Sequence, residues 1–358
     1  MKSNNLYRSG IVAVLVGLLP LGATVVAQTP ARAARPQLYH ISIGIDSPYG
    51  LLSVHQFLPN KLTIHVGDSV QWTNADGGEP DTVTFGSLDN TPALFLGAGS
   101  PQAGPEVNPA VVKLQGGHIL REGGTYSSGA LISGVRGLGA SITYTFRAAG
   151  TYFYRSLFHP LMLGEIDVVP SSRPASPNPP NRGPSAVTAL RSVADSLLPE
   201  QRSDVGAADS GGVTVSYGFG NKDVSLNIFA PSGIQIHVGD TVTWKTTETS
   251  GDPHAIVFNA STHVSAGAEP LYTRLAPDGG LISNSAFSIP TLPTGSQIMT
   301  GTLSSSQQYS SGLLYGSSPA YPSATLSTYS LTFLIPGRYY YIDPFHGNGT
   351  QGQVHVLP

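Results

Sequence analysis

No cysteine occurs among the 358 residues. That absence excludes disulfides, thiolate nucleophiles, cysteine-ligated zinc and iron–sulfur clusters. Charge is also scarce: 18 Lys and Arg with 21 Asp and Glu amount to 11% of the chain. So few charges argue against a helical bundle or a coiled coil. The basic residues are scattered, so no phosphate-binding stripe forms and nucleic acid is not expected as a partner. Long apolar runs are missing beyond the N-terminus, so no later segment is expected to span a bilayer. What is plentiful is turn-forming residues, 42 Gly and 29 Pro. With 40% apolar residues the chain can build two cores of ordinary size. Short strands and many turns make an all-β protein the expectation.

The N-terminus carries Lys2 and Arg8, then an apolar run from Ile11 to Leu21, then Val25 and Ala27 before Gln28. This is the pattern of a secretory signal peptide over residues 1–27. Pro20 and the shortness of the run disfavour a membrane anchor. Cleavage would leave a formal charge of −5 (16 basic minus 21 acidic residues). The expected product is secreted or periplasmic, with no membrane span.

The sequence repeats itself. FLPNKLTIHVGDSVQW from Phe57 aligns with FAPSGIQIHVGDTVTW from Phe229, without a gap, at an offset of 172. EPDTVTF matches DPHAIVF, and YSSGAL from Tyr126 matches YSSGLL from Tyr309. YTFRAAGTYFYRSLFHPLMLGEIDVVP matches LTFLIPGRYYYIDPFHGNGTQGQVHVLP. Blocks in one order define domains at 36–170 and 212–358, with a Pro/Ser-rich linker at 171–211. Ala186 to Leu198 carries the one remaining helical pattern. Alternation points Leu62, Ile64 and Val66 inward, with Thr63 and His65 outward; Val70 and Trp72 follow inward after a Gly67-Asp68 turn. Ile234, Ile236, Val238, Val242 and Trp244 repeat the pattern. Two tandem Greek-key β-sandwiches are predicted, with long loops that carry a short strand or two over 86–141 and 259–327.

These blocks resemble the cupredoxin (plastocyanin/azurin-like) family. The resemblance covers the strand–Gly-Asp–strand–Trp unit, the segment before TVTF or AIVF, and the terminal G-x-Y-x-Y…H unit. It implies a copper site of two His, one Cys and a Met. In the first repeat those positions read Asp81, Ser156, His159 and Met162. In the second they read His254, Asp343, His346 and Thr350. Neither repeat keeps the thiolate, so a blue copper centre is excluded on chemistry. His254, His346 and Asp343 remain as a candidate site for copper or another divalent ion. His159 and Met162 are the weaker candidates of the first repeat.

Plainer roles exist for each of these residues. His254 and His346 fit as packed loop histidines, Met162 as a gap-filler in the core, and Asp343 and Asp81 as turn caps beside Pro344 and Pro80. The chain lacks H-x-H, a strand–G-x-S-x-G–helix context and a phosphate loop, so no enzyme is predicted. Two functions remain open. One is an exported metal-binding protein. The other is a metal-free structural or interaction module with an unknown protein partner in the cell envelope or outside.

Overall fold

The computed structural model describes residues 35–46, 51–75, 78–86, 92–96, 106–177, 206–207, 212–246, 252–258, 271–291, 294–298, 308–316, 327–346 and 350–358. The expected signal peptide, most of the linker and the pattern at 186–198 lie outside these residues.

The first half contributes β1 (Leu38–Asp46), β2 (Leu52–Leu58), β3 (Lys61–His65), β4 (Ser69–Asn74), β5 (Thr84–Phe85) and β6 (Phe95–Leu96). It continues with β7 (Glu106–Val107), β8 (Ile119–Leu120), β9 (Tyr126–Ser127), β10 (Ser141–Phe146), β11 (Gly150–Arg155) and β12 (Leu163–Val169). β13 (Gly206–Ala207) precedes the second half. There follow β14 (Gly212–Asn221), β15 (Val224–Ala230), β16 (Gly233–His237), β17 (Thr241–Lys245), β18 (Pro253–His254), β19 (Val257–Phe258) and β20 (Tyr272–Leu275). Last come β21 (Leu281–Ser283), β22 (Gln297–Ile298), β23 (Tyr309–Ser310), β24 (Leu314–Tyr315), β25 (Thr328–Phe333), β26 (Gly337–Ile342) and β27 (Gln351–Leu357).

The protein is all-β. Each half is a sandwich of two mixed sheets, with the same pairings on both sides. β1 runs parallel to β4 and β3 parallel to β12; β14 runs parallel to β17 and β16 parallel to β27. The inward faces come from the alternation in sequence. Leu62, Ile64, Val70 and Trp72 are buried in one core, and Ile234, Ile236, Val242 and Trp244 in the other. Val66 and Val238 are corrections to the expected pattern: they are 43% and 41% exposed. Each lies just past its strand, where the Gly turn rotates the chain out of the pleat. Gly67 and Gly239 adopt φ of 97° and 95° there. Asp68 and Asp240 each fix the turn by accepting from the His65 or His237 amide, at 2.9 and 2.8 Å.

The two sandwiches share a sheet. Ten strands run in the order β22-β25-β17-β14-β15-β2-β1-β4-β10-β8. At the centre, β2 and β15 pair antiparallel with Ser53 opposite Ser225, Val54 opposite Val224 and Leu52 opposite Leu226. At the repeat offset of 172, Ser53 and Ser225 are equivalent residues (225 against 53). The seam is therefore isologous: each half presents the same strand to the other. The His55 amide donates to the Asp223 carbonyl and the Asn227 amide to the Leu51 carbonyl, both at 2.9 Å, so the hydrogen bonds repeat under the same exchange.

The long loops complete the junction. β7 of the first half pairs with β21 of the second, in a small sheet ordered β20-β21-β7-β6. Below it, Val107, Val111, Leu157 and Phe158 pack with Ala255, Tyr272, Leu281 and Phe345 in a third apolar cluster. Residues 36–358 accordingly form one compact unit.

Candidate metal centre

The turn that joins β11 to β12 carries His159, and the turn that joins β26 to β27 carries His346. In both, the residue three positions earlier caps the turn. Ser156 Oγ accepts from the amides of Phe158, His159 and Thr82 at 3.2, 3.3 and 3.3 Å. Asp343 Oδ1 accepts from Phe345 and Ala255 at 3.2 and 3.4 Å. These are the two positions where the family resemblance would place a thiolate. Equivalent backbone bonds close the turns: the Ser156 amide donates to Met162 and the Asp343 amide to Thr350.

The second edge comes from the segments before β5 and β19. Asp81 bridges to Leu131, and His254 pairs with Leu314. Asn74 Nδ2 clamps this segment in the first half by donating to the Glu79 and Leu131 carbonyls, at 2.8 and 2.7 Å. The repeated Ser-Ser-Gly loops brace it from behind. Ser128 Oγ accepts from the Val83 amide and Ser311 Oγ from the Ile256 amide. Gly129 turns with φ of 68°, and a side chain there would run into the Val112 carbonyl. The paired serines are thus loop struts.

Asp81 Oδ1 accepts from His159 Nδ1 at 3.0 Å. Asp343 Oδ2 accepts from two imidazoles, His254 Nδ1 at 2.7 Å and His346 Nδ1 at 2.8 Å. A carboxylate only accepts, so in each of these rings the proton sits on Nδ1. His159 Nε2 then faces Glu79 Oε2 at 3.4 Å and Asp252 Oδ1 at 3.9 Å. His346 Nε2 faces Glu79 Oε1 and Asp252 Oδ2, both at 3.9 Å. His55 of β2 places Nε2 at 2.8 Å from Asp252 Oδ1 and stacks on His159 with ring centroids 4.6 Å apart. His254 and His346 lie at the same ring separation, 4.6 Å. Four histidines and four carboxylates therefore meet between the halves, and none exposes more than 12% of its side chain.

Burial disfavours every charge here, and the neighbours decide the outcome. Desolvation alone would raise Asp343, but His346 and His254 hold it well below the usual carboxylate range. Asp252 is likewise held low against desolvation by His55, His346 and His159. Desolvation pulls His159 down, yet Asp81 and Glu79 keep it well above an ordinary imidazole. Glu79 goes the other way: burial and the nearby Asp252 raise it.

The structure brings His254, Asp343, His346 and His159 into this one cluster. Met162 is not part of it; its side chain belongs to the first hydrophobic core. Thr350 is buried and donates to the Asn227 carbonyl at 2.6 Å. Three members escape motif reading: His55, Glu79 and Asp252. Glu79 and Asp252 did leave a signal, since both are acids just before a proline at matching repeat positions. His55 left none, because Asn227 stands at its equivalent in the second half.

Two groups of donor atoms lie close enough together to hold an ion: His55, His159 and Asp252, and His254, Asp343 and His346. The family's thiolate–copper centre does not fit them. Its sulfur positions hold Ser156 and Asp343, both engaged as turn caps. The donors are nitrogen and oxygen, a set suited to Zn(II), Cu(II) or Fe(II) rather than Cu(I).

No protein-family model matches this chain, and no curated protein matches it. Solved structures do. A purple cupredoxin from Nitrosopumilus maritimus is 22% identical, over 37% of this chain and 99% of its own, with a TM-score of 0.22. Amicyanin from Paracoccus versutus is 18% identical, over 40% of this chain and 87% of its own, with a TM-score of 0.21. A Cu(I) form of an amicyanin variant is 19% identical, over 42% and 85%, with a TM-score of 0.20. At these identities and scores the likeness says nothing of the chemistry at the junction.

Proposed function

We propose that this is an exported, cupredoxin-like protein that binds a divalent metal ion through buried imidazoles and carboxylates. It is not a blue-copper electron carrier, and no catalytic step is assigned to it. One observation carries the reading: four carboxylates are buried with four imidazoles at a junction of two sandwiches. Buried carboxylates need compensating positive charge, and a dication supplies it at this density better than crowded imidazolium rings, which repel one another. Copper(II) is the ion that the family resemblance names, and the nitrogen and oxygen donors suit it. Export rests on the leader pattern of residues 1–27. Among the described residues, no helix is long and apolar enough to cross a membrane.

A second reading has its own support. Asp343 is satisfied without any ion, since His254 and His346 both donate to it. On that reading the cluster is a polar lock between the halves, and the protein is a metal-free structural or interaction module. Calorimetric titration of the chelator-stripped mature chain with Cu(II) and Zn(II) separates the two. The metal reading expects saturable binding that a His254→Ala/His346→Ala double variant loses. Equal, weak isotherms for both proteins would leave the lock.

A further inference from the structure

The two halves place their acids and histidines in a ring. Glu79 offers one carboxylate oxygen to His159 and the other to His346. Asp252 does the same from the opposite half. Glu79 and Asp252 are repeat equivalents, as are His159 and His346, so the ring obeys the exchange that pairs Ser53 with Ser225. His55 breaks the symmetry by adding a third imidazole beside Asp252. His346 Nε2 is buried, points into this ring, and has no hydrogen-bond partner among the described residues.

We propose that one divalent ion is held at the junction, by Nε2 of His55, His159 and His346 with the carboxylates of Glu79 and Asp252. Asp81 and Asp343 are positioning residues: each fixes an imidazole through Nδ1 and turns Nε2 toward the ring. This rests on the metal reading above and moves the ion from the second repeat to the space between the repeats. Bonds of about 2.0–2.2 Å put neighbouring donors roughly 3.0–3.5 Å apart. Nε2 of His159 and His346 lie 3.4 to 3.9 Å from the Glu79 and Asp252 oxygens, so closing on an ion draws these groups inward, while His55 Nε2, at 2.8 Å from Asp252 Oδ1, moves slightly away from it. By contrast, Nδ1 of His254 and Nδ1 of His346 already share one oxygen of Asp343. An ion there would have to displace both protons, against the one that His55 Nε2 directs at Asp252 in the ring. Both halves must be folded and joined for the proposed site to exist.

The test is titration of the full mature chain with Zn(II), with Co(II) absorption as a second readout. His55→Asn is tolerable to the fold, since Asn227 occupies the equivalent strand position. His55→Asn and Asp252→Asn should each weaken Zn(II) by more than about 100-fold and shift the Co(II) bands of whatever still binds. Asp81→Asn and Asp343→Asn should cost about 10–100-fold while keeping the Co(II) band positions, because the ligands are unchanged. His254→Ala should stay within about ten-fold of the parent. If the parent chain binds Zn(II), and His254→Ala abolishes binding while His55→Asn and Asp252→Asn do not, the junction site is wrong and a second-repeat site stands. If the parent chain binds none of Zn(II), Co(II) and Cu(II), the metal reading itself fails, and the junction site with it.

Discussion

In the first half, Asp81 holds His159 and Ser156 caps the turn that carries it. In the second half, Asp343 does both jobs, one oxygen on the turn amides and the other on His346. The carboxylate has changed places between the halves: where the first has Asp, the second has His254, and where the first has Ser, the second has Asp343. Both arrangements leave a histidine with Nδ1 engaged and Nε2 turned toward the junction. What the repeats share is the direction of that nitrogen, and the residue that secures it is interchangeable.

The strongest way to break this comparison is to show that the halves are independent. Each half has one tryptophan, buried at its centre. Trp72→Ala should cost about 3–5 kcal/mol. Its effect should appear in the fluorescence of Trp244 in the other half during urea unfolding, because one sheet crosses the seam. A Trp244 midpoint unmoved from the parent would mean two separate folding units.

Next in size is the exchange of capping residues. Asp343→Ser installs the first half's solution in the second, keeps the turn cap and strips two imidazoles of their acceptor. In metal-free protein it should cost about 3 kcal/mol by denaturant unfolding. Ser156→Ala removes only neutral hydrogen bonds to amides and should cost about 1 kcal/mol. Equal losses from the two would show that Asp343 is merely a cap. The smallest effect sharpens the comparison from outside the site. Phe153 and Tyr340 are 67% and 62% exposed at equivalent outward positions. Phe153→Ser and Tyr340→Ser should both stay within about 0.5 kcal/mol of the parent. A larger loss at one alone would reveal a contact that the other half lacks.

The all-β class and the inward faces were legible because period-two alternation is local. It failed at Val66 and Val238, one residue beyond each strand, where the glycine turn rather than the pleat sets direction. Five members of the cluster, Asp81, His159, His254, Asp343 and His346, were legible because they fall at the ligand positions that the family resemblance marks in the repeated blocks. Glu79 and Asp252 lay in those blocks too, but their partners come from the opposite half. The seam between β2 and β15 joins residues far apart in the chain, and no window of sequence contains it. His55 shows the same limit: it acts only because that seam brings Asp252 beside it.

The most direct measurement is an anomalous-difference map from crystals of the protein grown with Zn(II). A peak should stand between the halves, about 2.0–2.2 Å from Nε2 of His55, His159 and His346, with Asp81 and Asp343 still on Nδ1 of His159 and His346. A peak bound by His254 Nδ1 and Asp343 in its place, or no peak anywhere in the cluster, would contradict the junction site.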